Sequence, residues 1–150
     1  MKIIFSDIDH NDLVDCSELF VSAFKESPWN EDWDIKDAFE RLSTFLAYPK
    51  TIAVKAESEG RICGFLMGEI ECWKKTNFYF LKEMCVTPSM QRQGIGRAMI
   101  AQLKKRLKEK QVSRIYLITQ RESAPSMFYS SLAFEENPSI MVMGLQIDGR

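Results

Sequence analysis

The residues that most constrain this chain run Met84-Cys85-Val86-Thr87-Pro88-Ser89-Met90-Gln91-Arg92-Gln93-Gly94-Ile95-Gly96-Arg97-Ala98. Ahead of the proline, residues 78–86 are rich in aromatic and β-branched side chains, a strand composition. Behind the glycines, Ile95, Met99, Leu103 and Leu107 recur every four residues, which predicts an amphipathic helix. A helix that opens on Gly94-x-Gly96 offers unpaired backbone N–H groups and the positive end of its dipole. The two missing side chains let a ligand approach closely. Such an end suits an anion, most often a phosphate.

Two phosphate motifs are excluded. The dinucleotide fingerprint needs a third glycine where Met99 stands, and a P-loop needs Gly-Lys-Ser/Thr where Gly96-Arg97-Ala98 stands. The glycine pair alone leaves an ordinary tight turn equally open. Its surroundings add more. Gln91-x-x-Gly94-x-Gly96 resembles the Arg/Gln-x-x-Gly-x-Gly/Ala signature of the GNAT superfamily of acyl-CoA-dependent N-acetyltransferases. Val86-Thr87-Pro88 is similar to that family's Val-x-Pro, and Phe128-Tyr129-Ser130-Ser131-Leu132-Ala133-Phe134 resembles its Phe/Leu-Tyr-x-x-Leu-Gly-Phe. Three signatures in order over residues 78–134 are far more specific than any one.

Composition sets wider bounds. A chain of 150 residues, 45% hydrophobic and 27% charged, is the size and make-up of one globular domain. No apolar run approaches the ~20 residues of a membrane span, and Met1-Lys2-Ile3 reads as the opening of a strand rather than a signal peptide. The expected location is therefore cytoplasmic, with reduced thiols. Cys16, Cys63, Cys72 and Cys85 form no C-x-x-C pair and His10 is the one histidine, so no metal site is expected.

The net charge of −1 is unevenly spread. Residues 7–40 hold eleven acids against Lys25 and Lys36, and residues 97–114 hold seven bases against Glu109. Two solvated helix faces account for this; so do a cationic substrate near one half and a phosphorylated cofactor near the other. A pI near 5.9 argues against nucleic acid.

In chain order, residues 3–8 read as a first strand, followed by a helix capped by Asn11 or Asp12 with Leu13, Cys16, Leu19, Phe20, Ala23 and Phe24 inward. Trp29 and Trp33 sit in a polar loop with Glu31 and Asp32. They either anchor that loop to the core or wall an acceptor pocket, where cation–π contact with an ammonium would add roughly 0.5–2 kcal/mol. Asp34 caps a second helix, with Asp37 in capping-box position and Ile35, Ala38, Phe39, Leu42, Phe45 and Leu46 on its apolar face. Residues 51–57 and 62–73 form a hairpin about Ser58-Glu59-Gly60, with Gly64 and Gly68 marking bulges or close backbone approach. Residues 114–119 predict a buried parallel strand, 124–132 a helix with Pro125 in its first turn, and Phe134 with 140–147 the last strand or strands. Met141, Val142, Met143 and Leu145 there suit a core or a dimer interface. A single α/β domain with a mixed sheet is expected, as a monomer or homodimer.

The GNAT resemblance implies a mostly antiparallel sheet flanked by helices and splayed between its two central strands, where acetyl-CoA binds. Backbone groups of Gln91, Arg92, Gln93, Gly94, Ile95, Gly96 and Arg97 would hold the pyrophosphate. Met84, Cys85 and Val86 would pair with the pantetheine arm, one N–H near Val86 stabilising the oxyanion. Tyr129 takes the place of the family's general acid, protonated at pH 7. The base is expected on the central strands: Glu83 first, then Glu71 and Glu69. Cys85 as a covalent nucleophile has no histidine nearby to activate it. Glu71, Trp29 and Trp33 would face the acceptor.

Three positions depart from the family pattern. Glu122 stands where an asparagine often contacts the cofactor, Ala133 replaces a glycine, and Arg92 stands where glycine is common. The implied activity is acetyl transfer to the amine of a small, cationic acceptor such as an aminoglycoside or polyamine. The alternatives are a protein N-terminal acetyltransferase, or a non-catalytic acyl-CoA sensor.

Overall fold

The structure is a computed structural model that describes residues 2–149. Met1, read above as part of a strand opening, lies outside the described residues. The chain divides into two compact units, one ending at Ile118 and one beginning at Thr119.

The first unit is a five-stranded sheet in the order β1-β2-β3-β4-β5. Its strands are β1 (Ile3–Asp7), β2 (Thr51–Ser58), β3 (Arg61–Trp73), β4 (Thr76–Val86) and β5 (Val112–Tyr116). All pairs are antiparallel except β4 with β5. Three helices join them: α1 (Leu13–Lys25), α2 (Ile35–Leu46) and α3 (Ile95–Glu109). Among the described residues, no helix is long and apolar enough to cross a membrane.

The helices start close to where local chemistry places them. Asp9, not Asn11 or Asp12, provides the first cap: it accepts from Asn11 N at 2.8 Å, and its own N–H donates to Asp12 at 2.9 Å. This reciprocal box closes a short 3₁₀ turn that leads into α1. Asp34 caps α2 by accepting from Lys36 N at 3.1 Å, and Asp37 closes no box. The buried stripe of α2 is narrower than its apolar positions imply. Ala38, Leu42 and Phe45 are buried, while Ile35 and Phe39 are 42% and 39% exposed. At the β2–β3 turn Glu59 and Gly60 both have positive φ (51° and 76°), the geometry that matches strand twist in a two-residue hairpin.

One irregularity governs the sheet. Met67 pairs with Glu83, but Gly68 pairs with Leu81, so Lys82 is an extra residue in β4. Residues opposite one another share a face. The bulge therefore puts Glu83 and Cys85 on the face that carries Phe65, Met67, Glu69, Glu71, Phe78 and Phe80. Strict alternation would have grouped Glu83 with Leu81 and Tyr79 instead. This face packs under α1 and α2, where Cys16, Leu19, Phe20, Ala38, Leu42, Phe65, Met67 and Cys85 form the core. Met99 of α3 meets the opposite face at Gly64, where an added Cβ would lie 3.2 Å from its side chain.

β5 corrects the expectation of a buried strand over residues 114–119. It runs Val112–Tyr116, with Ser113 and Arg114 exposed and Ile118 64% exposed. As the last strand of the sheet it has one neighbour, so half of its surface stays open.

The second unit contains α4 (Ala124–Ser131). Ser123 and Ser126 cap it reciprocally at 3.2 and 2.9 Å, and Pro125 takes the first turn. Ala133 N donates to Ser130 O and Phe134 N to Tyr129 O, both at 3.1 Å, which is a Schellman ending. Ala133 accordingly sits at φ +70°, in the left-handed region. Ala133→Gly is expected to stabilise the protein by about 1 kcal/mol, raising Tm by roughly 2–4 °C in a thermal melt. An unchanged or lower Tm contradicts the strain at this position.

The expected closing strands do not form. Among the described residues, 132–149 contain no strand. Ile140, Met141, Val142, Met143, Leu145 and Ile147 are 71–91% exposed, so the core reading of this run is corrected. A strand persists only through ladder bonds to a neighbour, and among the described residues Ile140 N bonds locally, to Asn137 O.

Candidate active site

β4 leads through the 3₁₀ turn Pro88–Met90 and residues 91–94 into α3. Thr87 N donates to Cys63 O at 2.8 Å, carrying the β3 pairing one step beyond Val86. Gln91 spends its side chain on the loop itself, donating from Nε2 to Val86 O at 3.0 Å. Gly94 is the helix cap at φ +86°, with no side chain to bond the first turn. The first intrahelical bond runs from Ala98 N to Gly94 O at 3.0 Å, so the N–H groups of Ile95, Gly96 and Arg97 have no acceptor within the helix. Ile95 is buried and pins the turn, while Gln91, Arg92, Gln93, Gly94 and Arg97 are exposed. An uncapped 15-residue helix ends here on a solvent-facing glycine loop. That is an anion-binding geometry.

The basic half of the sequence divides on this geometry. At 1.5 Å per residue, Lys104 to Lys110 lie roughly 15–24 Å from Gly94 along the helix. They are a solvated face; only Arg92 and Arg97 stand by the loop. The acids divide as well. Asp7 pairs with Arg106 at 2.9 Å and Asp12 with Lys55 at 2.7 Å, while Asp9 and Asp34 cap helices. Of the other seven, Asp37 and Glu40 line a cavity of about 320 Å³ with Arg41, Thr44 and Phe45.

The parallel ladder between β4 and β5 covers Asn77 to Phe80 and stops there. β4 continues to Val86, past the end of β5, with Met84, Cys85 and Val86 in this final stretch. The opening lies between β4 and the edge strand β5, the parallel pair of the sheet.

Beside that opening, Glu83 is 8% exposed, and Arg41 of α2 donates from Nε to its Oε1 at 2.6 Å. Burial pushes the Glu83 carboxyl above its ordinary pKa, the Arg41 charge and hydrogen bond pull it back, and Glu31 adds to the rise. The net direction is upward, toward the range useful to a base near neutrality. Cys85 is buried, and burial first, then the Glu83 charge, lifts its thiol well above the ordinary value. A thiol so placed is a poor nucleophile.

Glu71 is engaged by the Tyr116 hydroxyl, whose ring lies 4.4 Å from that of Phe80. The tryptophans fold back on α1: Trp29 lies 5.4 Å from Phe24, and Trp33 is edge-on to Phe20 at 4.9 Å. Trp33 has a second neighbour, since the Arg41 guanidinium lies 5.9 Å from its ring and 4.7 Å from that of Phe45. The first unit thus brings Glu83, Glu69 and Glu71 onto one face and sets Trp33 by the Arg41–Glu83 pair. In the second unit, Tyr129 lies in α4 between the rings of Phe128 and Phe134 at 5.1 and 5.3 Å. Glu122 is exposed at φ +53°, just ahead of the cap. Among the described residues, no group of His, Cys, Asp and Glu could hold a metal ion.

Sequence reading missed Arg41. Its signal was present: it shares a helical stripe with Ala38 and Phe45, three residues after one and four before the other, where a lone charge demands a buried partner.

The chain was compared with known proteins. No curated protein matches it. Solved structures with the same fold include a possible acetyltransferase from Clostridium difficile 630, 16% identical, with a TM-score of 0.83 over 99% of this chain and 100% of that one. An aminoglycoside acetyltransferase from an uncultured soil metagenomic sample, in complex with sisomicin, is 18% identical, with a TM-score of 0.72 over 96% and 97%. AAC(6')-Iy, in complex with a bisubstrate analog built on CoA, is 17% identical, with a TM-score of 0.75 over 97% and 99%. The sequence profile of the Acetyltransferase (GNAT) family matches residues 13–134, from the start of α1 to the end of the Tyr129 motif. With the uncapped glycine turn and the truncated β4–β5 ladder, this match establishes that the chain belongs to the GNAT family of acetyltransferases, which uses acetyl-CoA.

Proposed function

We propose that this protein transfers an acetyl group from acetyl-CoA to a primary amine on a small, cationic acceptor by direct attack in a ternary complex. One observation carries the reading: β4 outruns β5, ends beside buried Glu83, and leads straight into an uncapped helix. On this reading the N–H groups of residues 91–97 hold the pyrophosphate. The pantetheine arm adds to β4 at Met84, Cys85 and Val86, and a backbone N–H near Val86 meets the developing oxyanion, worth roughly 3 kcal/mol. Glu83 removes the amine proton, directly or through a water, and the amine attacks the thioester carbonyl. Collapse of the tetrahedral intermediate expels the CoA thiolate, which takes its proton from Tyr129. Both the Tyr129 role and a cofactor contact at Glu122 rest on the motif match.

The cationic acceptor is supported by Asp37 and Glu40 beside Arg41. Glu71 and Trp29 extend the acceptor side. One neighbour of the same fold is an aminoglycoside acetyltransferase in complex with sisomicin, so sisomicin is the first acceptor to try.

Isothermal calorimetry tests the cofactor half, with NADH and ATP as controls. Acetyl-CoA is expected to bind with micromolar Kd, about −8 kcal/mol, and the controls not to bind. Absence of binding in a folded, CoA-free sample sinks the reading. Binding without release of free CoA in the presence of sisomicin or other amines would favour a sensor.

A further inference from the structure

The Arg41–Glu83 pair is not accounted for by stability. An ion pair with one partner buried and the other half-exposed adds little to stability, because desolvation of the buried charge offsets a solvent-screened attraction. The pair also has an asymmetric geometry. Arg41 reaches Oε1 through Nε alone, at 2.6 Å, and among the described residues no other hydrogen bond touches the Glu83 carboxylate. Every fully buried side-chain oxygen and nitrogen among those residues has a partner, so Oε2 retains access to solvent. The guanidinium itself is held between two ring faces, Phe45 at 4.7 Å and Trp33 at 5.9 Å, and its side chain is 42% exposed.

We propose that Arg41 is a positioning residue for Glu83: it anchors Oε1 and balances its charge, so that Oε2 is presented to the acceptor amine or its bridging water. This rests on Glu83 being the base of the proposed reaction. The other titratable groups around Glu83 cannot replace Arg41. Glu31, in the loop before α2, is of like charge; Cys85 on β4 and Cys16 on α1 are thiols held neutral by burial. Glu69 on β3 is a further acid, and Tyr116 on β5 is taken by Glu71. Lys82, next to Glu83 in β4, sets its Nζ over the Phe80 ring at 3.9 Å, so Arg41 is the cation bonded to the carboxylate. Trp33 and Phe45 then serve the site by holding the guanidinium in place.

The test follows the Glu83 carboxyl directly. The protein is labelled with carboxyl-¹³C glutamate, and the Glu83 resonance is assigned by its loss in Glu83→Gln. Arg41→Met is expected to raise the Glu83 titration midpoint by roughly 1–3 pH units, and Arg41→Lys to restore much of that shift. With an accepting amine, the acid limb of kcat/KM should move to higher pH by the same amount, at unchanged acetyl-CoA affinity. If Arg41→Met does not fold, Arg41→Gln against Arg41→Lys makes the same comparison, since one keeps the hydrogen bond and the other the charge. A midpoint and acid limb that stay in place in folded variants overturn the proposal, while Glu83→Gln remains impaired and the base assignment survives. Full turnover by Glu83→Gln fails the base assignment itself, whatever Arg41 does to the titration.

Discussion

Glu83→Gln is expected to lower kcat/KM for acetyl transfer by about 10²–10⁴-fold while leaving acetyl-CoA affinity within twofold, the span that general-base catalysis supplies. Glutamine keeps the shape, and its amide oxygen can still accept from Arg41, so the buried site stays filled. What disappears is the proton acceptor. Tyr129→Phe should act on the other end of the reaction, lowering kcat tenfold or more because the thiolate then leaves without a donor. Steady-state kinetics beside calorimetry separates these effects from lost binding. If Glu83→Gln turns over at the parent rate, base catalysis passes to Glu71 or Glu69, which the bulge in β4 places on the same face.

Gly68→Ala should cost about 3 kcal/mol of stability, toward the upper end for overpacking a core, and lower Tm by roughly 6–12 °C. A Cβ at this position would lie 2.2 Å from the backbone oxygen of Phe80 and 2.6 Å from the Tyr79 ring. Neither neighbour can yield cheaply. Phe80 O belongs to the strand backbone, and the fully buried Tyr79 is tied through its hydroxyl to Ile52 O at 2.7 Å. Gly68 also accepts from Thr51 Oγ1 at 3.0 Å, which holds its own strand in place. Because Gly68 flanks the bulge, any relief of the clash also re-aims Glu83. A thermal melt within about 1 °C of the parent would show that the strands separate more easily than this packing implies.

The three departures from the family pattern share one structural property. Arg92, Glu122 and Ala133 lie at φ +63°, +53° and +70°. Glycine and asparagine, the family's residues at these positions, are the ones that enter the left-handed region most easily. The backbone of this chain takes that conformation at all three positions without those residues. At Ala133 the Schellman bonds maintain it. The asparagine at the position of Glu122 has a conformational reason as well as a ligand to contact.

The sequence by itself determined whatever is settled within a few residues. The glycine turn and its helix, the hairpin at Glu59 and Gly60, and the inward stripe of α1 all follow from positive φ, capping and periodicity, which operate over one or two turns of chain. Gly68 was legible as a bulge or a close approach, and the structure shows both there. The motif order identified the family. Tertiary structure alone decided what depends on register and on distant partners. A single extra residue, Lys82, reverses the parity of β4 and sends Glu83 beneath α2. Arg41 then meets it from 42 residues away. The end of the β4–β5 ladder is a property of two strands and not of either one. So is the state of residues 140–147: their apolar character suits a strand, but without a neighbouring ladder their large apolar side chains stay exposed.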